Sequence, residues 1–280
     1  MRIWVRRKRD RMIQIKTPDE IAVMREAGLV TQRALARIQE AVAPGVSTGE
    51  LDRVAEESIR SEGGIPSFKG YHGFTGTICA SINDEVVHGI PSRRRKLREG
   101  DIISLDCGAI VDGWHGDSAV TVPVGEVRPE LLELIDATER SLWAGLAAAV
   151  AGGRLTDISA AVEGSIRANP RPYGIVDHYG GHGIGTEMHQ DPHVLNHGRP
   201  GRGPRLVPGL ALAVEPMVTL GRPGTRELED GWTVVTLDGS YAAHWEHTVA
   251  ITENGPWVTT AEDGGFSRFA ELGLKVPQRA

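Results

Sequence analysis

Apolar and polar positions recur with a helical period near the start of the chain, and capping signals bound each helical stretch. The segment TPDE at 17–20 has the spacing of a capping box with proline at the first helical position, so it predicts a helix to about Ala43. Pro44-Gly45 ends that helix, and STGE at 47–50 offers a second capping box for a helix that ends near Gly63-Gly64. The two helices are predicted to form a hairpin.

A second helical hairpin is predicted in the middle of the chain. Pro129 opens a helix that reaches Gly152-Gly153, and Thr156 caps another that stops at Asn169-Pro170. Residues 41–60 resemble residues 149–167, and strand-like sequence follows each hairpin, at 75–125 and 175–258. One interpretation is an internal duplication, with pseudo-repeats at about 17–125 and 129–258 that share one sheet around a site. The other is chance similarity between alanine-rich amphipathic helices.

Alternating apolar residues on both sides of Asp112-Gly113 predict a β-hairpin in residues 101–125. With a two-residue loop, Asp117 faces Gly108, and Asp106 is its diagonal neighbour on the same face. Two buried carboxylates without a basic partner are costly, and a cation would resolve the repulsion. The alternative is that the carboxylates end strands or cap turns at the surface.

Residues 178–198, HYGGHGIGTEMHQDPHVLNHG, hold five of the ten histidines and are rich in glycine. Glycine at this density disfavours a helix, and with it a helical zinc site of two histidines. It permits close approach of the backbone to a ligand, so the segment is predicted to line the substrate, with His182 and His189 above it. Taken alone, each histidine is expected to be a surface or hydrogen-bonded residue. Glu215 and Glu246 lie in apolar strand-like runs and, taken alone, are expected to point to solvent.

Composition and charge narrow the class of protein. The 280 residues, of which 40% are hydrophobic, can bury one substantial core, and a net charge of −6 argues against a DNA-binding protein. Two cysteines without metal or disulfide spacing fit a reducing cytoplasm, and no apolar run is long enough to span a membrane. Residues 1–11 carry six basic side chains and one acidic side chain. They are either a basic arm or a mis-assigned start before Met12, and residues 12–280 are expected to form a single catalytic domain.

The candidate residues occur together in one order that resembles the type I methionine aminopeptidases in their short bacterial form. The matching positions are His88 in NDEVVHGIP, Asp106, Asp117, His182 in GHGIG, His189, Glu215 in VEPMV and Glu246 in WEHT. The resemblance covers residues 12 to about 260. It implies the α+β pita-bread fold, in which two pseudo-symmetric α–β halves surround a central antiparallel sheet.

The resemblance also implies roles for these residues. Asp106, Asp117, His182, Glu215 and Glu246 would bind two divalent metal ions, and the oxygen-rich set suits cobalt, manganese or iron(II). Asp117 and Glu246 would bridge the ions, and Glu215 would serve as general base. His189 would stabilise the oxyanion and His88 would contact the substrate amide.

The pocket for the methionine side chain is implied at Tyr71, Phe74, Cys79, Met188 and Trp232, beside His88 and His189. Phe74 stands where tyrosine is common in the family, and Met188 where an aromatic residue is common. The implied reaction removes initiator methionine from peptides and nascent chains in the cytoplasm and favours a small second residue. A monomer is expected. Ribosome docking finds weak support, because Arg222 and Arg226 are offset by acidic neighbours.

Two alternatives share the fold. An aminopeptidase that acts before proline usually has an additional N-terminal domain, for which this chain is expected to have no room. A non-catalytic binding module would have lost the ligand-type residues, which are all present here. A serine hydrolase is excluded because no GxSxG motif occurs.

Overall fold

The computed structural model describes residues 13–276. The predicted basic arm and the alternative start at Met12 lie outside these residues. Among the described residues, no helix combines the length and the apolar character needed to cross a membrane. The treatment of residues 12–280 as one catalytic domain with an internal repeat stays a prediction.

Five helices are described: α1 at Pro18–Ala41, α2 at Thr48–Ser61, α3 at Pro129–Ala147, α4 at Leu155–Arg167 and the short α5 at Phe266–Glu271. Both predicted capping boxes are confirmed. The side chains of Thr17 and Ser47 each accept a hydrogen bond from the backbone N–H of the glutamate three residues later, and the carboxylate of that glutamate accepts from the backbone N–H of the capping residue. These local interactions satisfy the first free N–H groups of each helix.

Two predicted boundaries in the second hairpin are wrong. Helix α3 ends at Ala147 instead of Gly152. The backbone N–H groups of Ala148 and Ala149 donate to the carbonyl oxygens of Gly145 and Leu146, three residues back, so the last turn tightens and the helix does not continue. Helix α4 is capped at Arg154, not at Thr156: the Asp157 carboxylate accepts from the Arg154 N–H. Thr156 instead exchanges hydrogen bonds with Arg202.

Fifteen strands are described in three sheets. They are β1 at Ile65–Pro66, β2 at Ile78–Ile82, β3 at Glu85–Val87, β4 at Ile102–Val111, β5 at Trp114–Pro123, β6 at Gly174–Ile175, β7 at Gly181–Gly183, β8 at Gln190–Val194, β9 at Ala211–Val214, β10 at Met217–Thr219, β11 at Thr225–Glu227, β12 at Val234–Thr236, β13 at Ala242–His244, β14 at Glu246–Thr252 and β15 at Gly255–Val258. The largest sheet has nine strands with the central order β1-β4-β5-β14-β9-β7-β8. The predicted α+β architecture with a central antiparallel sheet is confirmed.

Each helical hairpin covers one half of the main sheet. Apolar residues of α1 and α2 pack with those of β2, β4 and β5, whereas α3 and α4 pack with β9 and β14. The contact of α1 with the sheet is close enough to require glycine: a Cβ added at Gly116 would lie 2.6 Å from the backbone nitrogen of Gly28. Strands β5 and β14 pair at the centre, so the two halves share one sheet.

Candidate metal centre and adjoining apolar cluster

The two aspartates lie on the hairpin of β4 and β5 in the register that the sequence predicts. Asp112 and Gly113 adopt positive φ angles of 48° and 81°, as a tight two-residue turn requires. Asp117 pairs with Gly108, and Asp106 pairs with Ala119 two positions along. The two carboxylates therefore share one face of the hairpin and approach each other.

Five adjacent strands each bring one ligand-type side chain to this face. Asp106 comes from β4, Asp117 from β5, Glu246 from the start of β14, Glu215 from the residue after β9, and His182 from β7. The register aligns them across the sheet, because Glu246 pairs with Ala119, and His182 pairs with Ala213. We call these five residues the acidic cluster.

The burial of the two glutamates corrects the expectation that each points to solvent. Glu246 is 2% exposed, and the Glu215 side chain is 12% exposed. Both carboxylates lie within 4 Å of His244, which belongs to a separate three-stranded sheet, so this part of the face is covered by a second layer. His182, 7% exposed, likewise faces the interior and not the surface.

Distances within the acidic cluster fit a shared cation better than hydrogen bonds. His182 Nε2 lies 3.6 Å from Glu215 Oε1 and 3.9 Å from Asp117 Oδ2. These separations exceed hydrogen-bond length. Ligand atoms about 2.1 Å from one metal ion lie roughly 3–4 Å apart. One ligand atom each from Asp117, His182 and Glu246 fall within 4.8 Å of one another.

Electrostatics point to a cation as well. Burial raises the pKa of Asp106 to about 7, and burial together with repulsion from Asp106 raises the pKa of Glu215 to about 8. The pKa values of Asp117 and Glu246 are raised well above their usual range for the same two reasons. Buried oxygens of Asp106, Asp117 and Glu246 have no hydrogen-bond partner among the described residues. Unpaired buried carboxylates are costly, so the residues present fit a divalent metal centre.

The orientation of His182 is fixed by its own backbone. Its Nδ1 lies 3.0 Å from the carbonyl oxygen of Gly183. A carbonyl can only accept, so Nδ1 carries the proton and the Nε2 lone pair faces the carboxylates. Burial lowers the pKa of His182 to about 4, which keeps the imidazole neutral and able to bind a metal.

The glycines around His182 let its strand pack closely against both neighbours, and the prediction that this segment lines the substrate stays a prediction. A Cβ added at Gly181 would collide with the carbonyl oxygen of Ala213 on β9, and one at Gly183 with that of Asp191 on β8. Glycine lets β7 fit between these neighbours, and that fit places His182 in the acidic cluster.

His189 lies beside His182, with the ring centroids 4.4 Å apart. Its Nδ1 is 2.8 Å from the Tyr71 hydroxyl oxygen. Burial and the neighbouring imidazoles lower the pKa of His189 to about 2, so the ring is neutral near pH 7. The hydrogen bond between Tyr71 and Nδ1 thus positions a neutral imidazole next to the acidic cluster.

His88 occupies a strained position across the site. Its φ of 61° places a non-glycine residue in the left-handed region, which is uncommon. The half-buried ring lies 6.1 Å from that of Tyr179 and 6.4 Å from that of Trp232. Burial lowers the pKa of His88 to about 4.

All five residues predicted for the methionine pocket lie in one apolar cluster, together with two residues that the sequence analysis missed. Its members are Phe68, Tyr71, Phe74, Cys79, Ile90, Met188 and Trp232. The apolar cluster adjoins the acidic cluster, because Cys79 pairs directly with Asp106. Phe68 follows the Ser67–Gly108 backbone hydrogen bond, a contact between distant segments that no local pattern indicates.

Sequence analysis also missed His244, the last residue of β13. It is 2% exposed, with Nε2 3.7 Å from Glu215 Oε2 and 3.9 Å from Glu246 Oε2. With Glu215 and Glu246 it forms a second potential metal-binding group. The one available signal was its position two residues before Glu246 in the same apolar run.

The architecture and the acidic cluster define a metallopeptidase. The family model of metallopeptidase family M24 matches residues 22–253, so the chain belongs to this family. Within the family, it belongs with the methionine aminopeptidases. Methionine aminopeptidase 1 of Mycobacterium tuberculosis is 52% identical over 264 residues, which is 93% of this chain and 99% of the relative.

Solved structures agree with this membership. The methionine aminopeptidase from Thermotoga maritima superimposes with a TM-score of 0.87 at 41% identity, over 90% of this chain and all of the other. The Xaa-Pro dipeptidase from Bacillus anthracis has the same fold at a TM-score of 0.71 and 25% identity, but this chain covers only 62% of it. The pita-bread fold is therefore confirmed, and the proline-directed alternative is not favoured.

Proposed function

We propose that the protein removes the N-terminal methionine of peptides and nascent proteins by hydrolysis at a two-metal centre, and that it favours a small second residue. The observation that carries the proposal is the adjacency of the two clusters. Five neighbouring strands supply carboxylates and an imidazole. An apolar cluster of aromatic rings and sulfur atoms begins at Cys79, which pairs with Asp106.

The acidic cluster would hold two divalent ions, with cobalt, manganese or iron(II) favoured by four carboxylates and one imidazole. Asp117 and Glu246 lie centrally in the five-strand order and would bridge the ions. Asp106 would complete one coordination shell, and His182 with Glu215 the other. When bound, such a pair lowers the pKa of water and polarises a carbonyl group.

Glu215 is the general base in this proposal. Its side chain is 12% exposed, whereas Asp117 and Glu246 are enclosed, so an attacking water molecule can approach it. It would take the proton of that water and later give it to the leaving amine.

His189 would donate a hydrogen bond to the developing oxyanion. The Tyr71 hydroxyl oxygen lies 2.8 Å from Nδ1, and in the tautomer in which this hydroxyl group donates to Nδ1, Nε2 carries the proton. A neutral imidazole held in this way presents a fixed donor where negative charge appears. His88, on the opposite side near Trp232, would contact the substrate amide.

The apolar cluster would accept the methionine side chain. A thioether makes favourable contacts with aromatic ring edges, which Tyr71, Phe74 and Trp232 can supply. Asp106, which pairs with Cys79 of this cluster, would place the free α-amino group near itself and a metal ion. That contact would restrict cleavage to the N-terminal residue.

We infer that the protein acts in the cytoplasm as a monomer that binds neither DNA nor membranes. The buried free thiols of Cys79 and Cys107 support a reducing compartment. Ribosome docking through residues 221–232 is the finer hypothesis, and the mixed charges there give it weak support. Cell fractionation, light scattering on the purified protein and co-sedimentation with ribosomes test these three points separately.

The decisive test of the function is methionine release by metal-stripped protein resupplied separately with manganese, iron(II), cobalt and zinc. Met-Ala-Ser should be cleaved and Met-Leu-Ser should be cleaved poorly. Glu215→Ala should lower the rate at least about a hundredfold, because a general base contributes that much or more. Glu253→Ala, at an exposed glutamate beyond β14, is the matched control and should keep full activity.

Failure of folded protein to cleave either peptide with every metal would reject the hydrolase and favour a non-catalytic binding module. Cleavage of Ala-Pro peptides in preference to Met-Ala-Ser would instead favour a proline-directed aminopeptidase.

A further inference from the structure

The backbone of His244 is held beside the acidic cluster by contacts with two neighbouring strands. Its N–H donates to the Thr121 hydroxyl oxygen at 2.8 Å, and its carbonyl oxygen accepts from that same hydroxyl group at 2.8 Å. Strand β13 also pairs with β10, with His244 opposite Met217. The imidazole thus enters the site from a three-stranded sheet separate from the one that carries the acidic cluster.

The His244 side chain lacks a partner that its burial would otherwise require. Nε2 is buried and makes no hydrogen bond within residues 13–276. The nearest carboxylate oxygens are Glu215 Oε2 at 3.7 Å and Glu246 Oε2 at 3.9 Å, both beyond hydrogen-bond length. A buried, unpaired ring nitrogen is costly unless something else binds it.

Glu215 lies between two imidazoles in a nearly symmetric arrangement. Its Oε1 is 3.6 Å from His182 Nε2, and its Oε2 is 3.7 Å from His244 Nε2. The separations on the two sides differ by 0.1 Å, and both equal those expected between two ligands of one cation. The geometry that supports His182 as a ligand therefore applies equally to His244.

We propose that His244 binds metal through Nε2, together with Glu215 and Glu246, so that the centre contains two imidazole ligands instead of one. The inference rests on the proposed two-metal function and adds to it. Imidazole nitrogen favours iron, cobalt, nickel and zinc, whereas oxygen ligands favour manganese and magnesium. The second imidazole should therefore shift the metal preference of this protein away from manganese.

A positioning role is the competing explanation. His244 could donate a hydrogen bond to Glu215 when that carboxylate is ionised, and so hold it in place without touching a metal ion. The two roles differ in what they do to the metal itself: a ligand changes the number of coordinated nitrogens, and a positioning residue does not.

The test uses the full-length protein loaded with cobalt(II) alone, in the absence of substrate. A histidine ligand of paramagnetic cobalt shows a strongly shifted ring N–H proton in the NMR spectrum. Wild-type protein should show two such protons, and His244→Gln should show one. Titration calorimetry should give at least about a tenfold loss of cobalt affinity in His244→Gln, since even residues behind the ligands change affinity by that amount.

The matched control is His247→Gln, because His247 is a nearby imidazole bonded to Ser118 and Thr260 and placed away from the acidic cluster. It should keep both shifted protons and lose less than about twofold in cobalt affinity. His244→Asn serves if the glutamine variant does not fold, and the wild-type proton count requires no variant.

The outcomes separate this inference from the function on which it rests. One shifted proton in the wild type, or an unchanged cobalt affinity in His244→Gln, overturns the inference while methionine release stays intact. Failure of the wild type to bind cobalt at all overturns both. Two shifted protons of which His244→Gln removes one establish the additional ligand.

Discussion

The acidic cluster and the apolar cluster lie side by side, but the chain builds them in different ways. Every member of the acidic cluster lies on, or next to, a strand of the main sheet, where ladder hydrogen bonds fix its position. Most of the apolar cluster comes from connecting segments, including the turn at Tyr71–Gly73 and the loop that carries Trp232. Strands of the main sheet position the proposed metal ligands, and loops supply most of the residues of the apolar cluster.

The difference has a physical reason. Metal binding tolerates errors of only a few tenths of an ångström in ligand position, which a sheet can supply. A side-chain pocket can adjust through loops while the scaffold stays the same. Substitutions in the acidic cluster should therefore abolish the reaction, whereas those in the apolar cluster should alter its substrate affinity.

Asp117→Asn should cause the largest effect. Loss of a bridging carboxylate should reduce metal binding and lower kcat/KM by more than about a thousandfold, in the range of other losses of charge stabilisation at active sites. The metal-free variant should nevertheless be more stable than the metal-free wild type at pH 8, because a buried charge without a partner has been removed. Metal content by mass spectrometry and Tm in the presence of chelator measure the two effects. A destabilised metal-free variant would contradict the proposed electrostatic cost.

Trp232→Ala should raise KM for Met-Ala-Ser about tenfold and leave kcat within about twofold. The half-buried ring lies 5.0 Å from Phe74 and can contact the thioether, a contact worth about 1 kcal/mol beyond its apolar area. Leu237→Ala is the control, because Leu237 is 64% exposed and lies outside the apolar cluster. A fall in kcat instead would mean that Trp232 positions His88.

Tyr71→Phe should lower kcat about fivefold with little change in KM. The hydroxyl group fixes the His189 tautomer, and one hydrogen bond is worth about 1 kcal/mol. Because Tyr71 also belongs to the apolar cluster, the aromatic ring is kept in this variant. Steady-state kinetics separate the two roles, and a rise in KM alone would assign Tyr71 to the pocket only.

The smallest effect concerns the pH dependence of stability in metal-free protein. The raised pKa values mean that the folded state holds more protons than the unfolded state above pH 5, so stability falls as pH rises. Buried histidines with lowered pKa values act in the opposite direction, but only below about pH 6.5. Between pH 7 and 8, the free energy of unfolding should fall by about 1 kcal/mol, or a few degrees in Tm.

Bound metal should remove this slope, because the cation takes the place of the protons on the carboxylates. Thermal melts at pH 7 and pH 8, with chelator and with cobalt, make the comparison. An equal slope in both conditions would assign the titration to groups outside the acidic cluster.

Local sequence determined much of the fold. The capping boxes at Thr17 and Ser47 and the register of the Asp112-Gly113 hairpin depend on residues a few positions apart, and each was predicted correctly. The boundaries of α3 and α4 were not, because contacts with residues 202–206 decide how that connection folds. The family could be recognised from the order of the motifs, although the role of each residue stays a prediction.

Tertiary structure alone decided which faces are buried. Glu215 and Glu246 have the local pattern of solvent-facing residues, and only the residues packed over this face, among them His244 of a separate sheet, enclose them. The glycines beside His182 are explained by the backbones of β8 and β9, which pair with β7 on its two sides. His244 reaches Glu215 from a different sheet, so its position two residues before Glu246 could not by itself show that it meets Glu215. A sequence pattern reports residues that are close along the chain, whereas a metal centre is made by residues that are far apart in sequence and close in space.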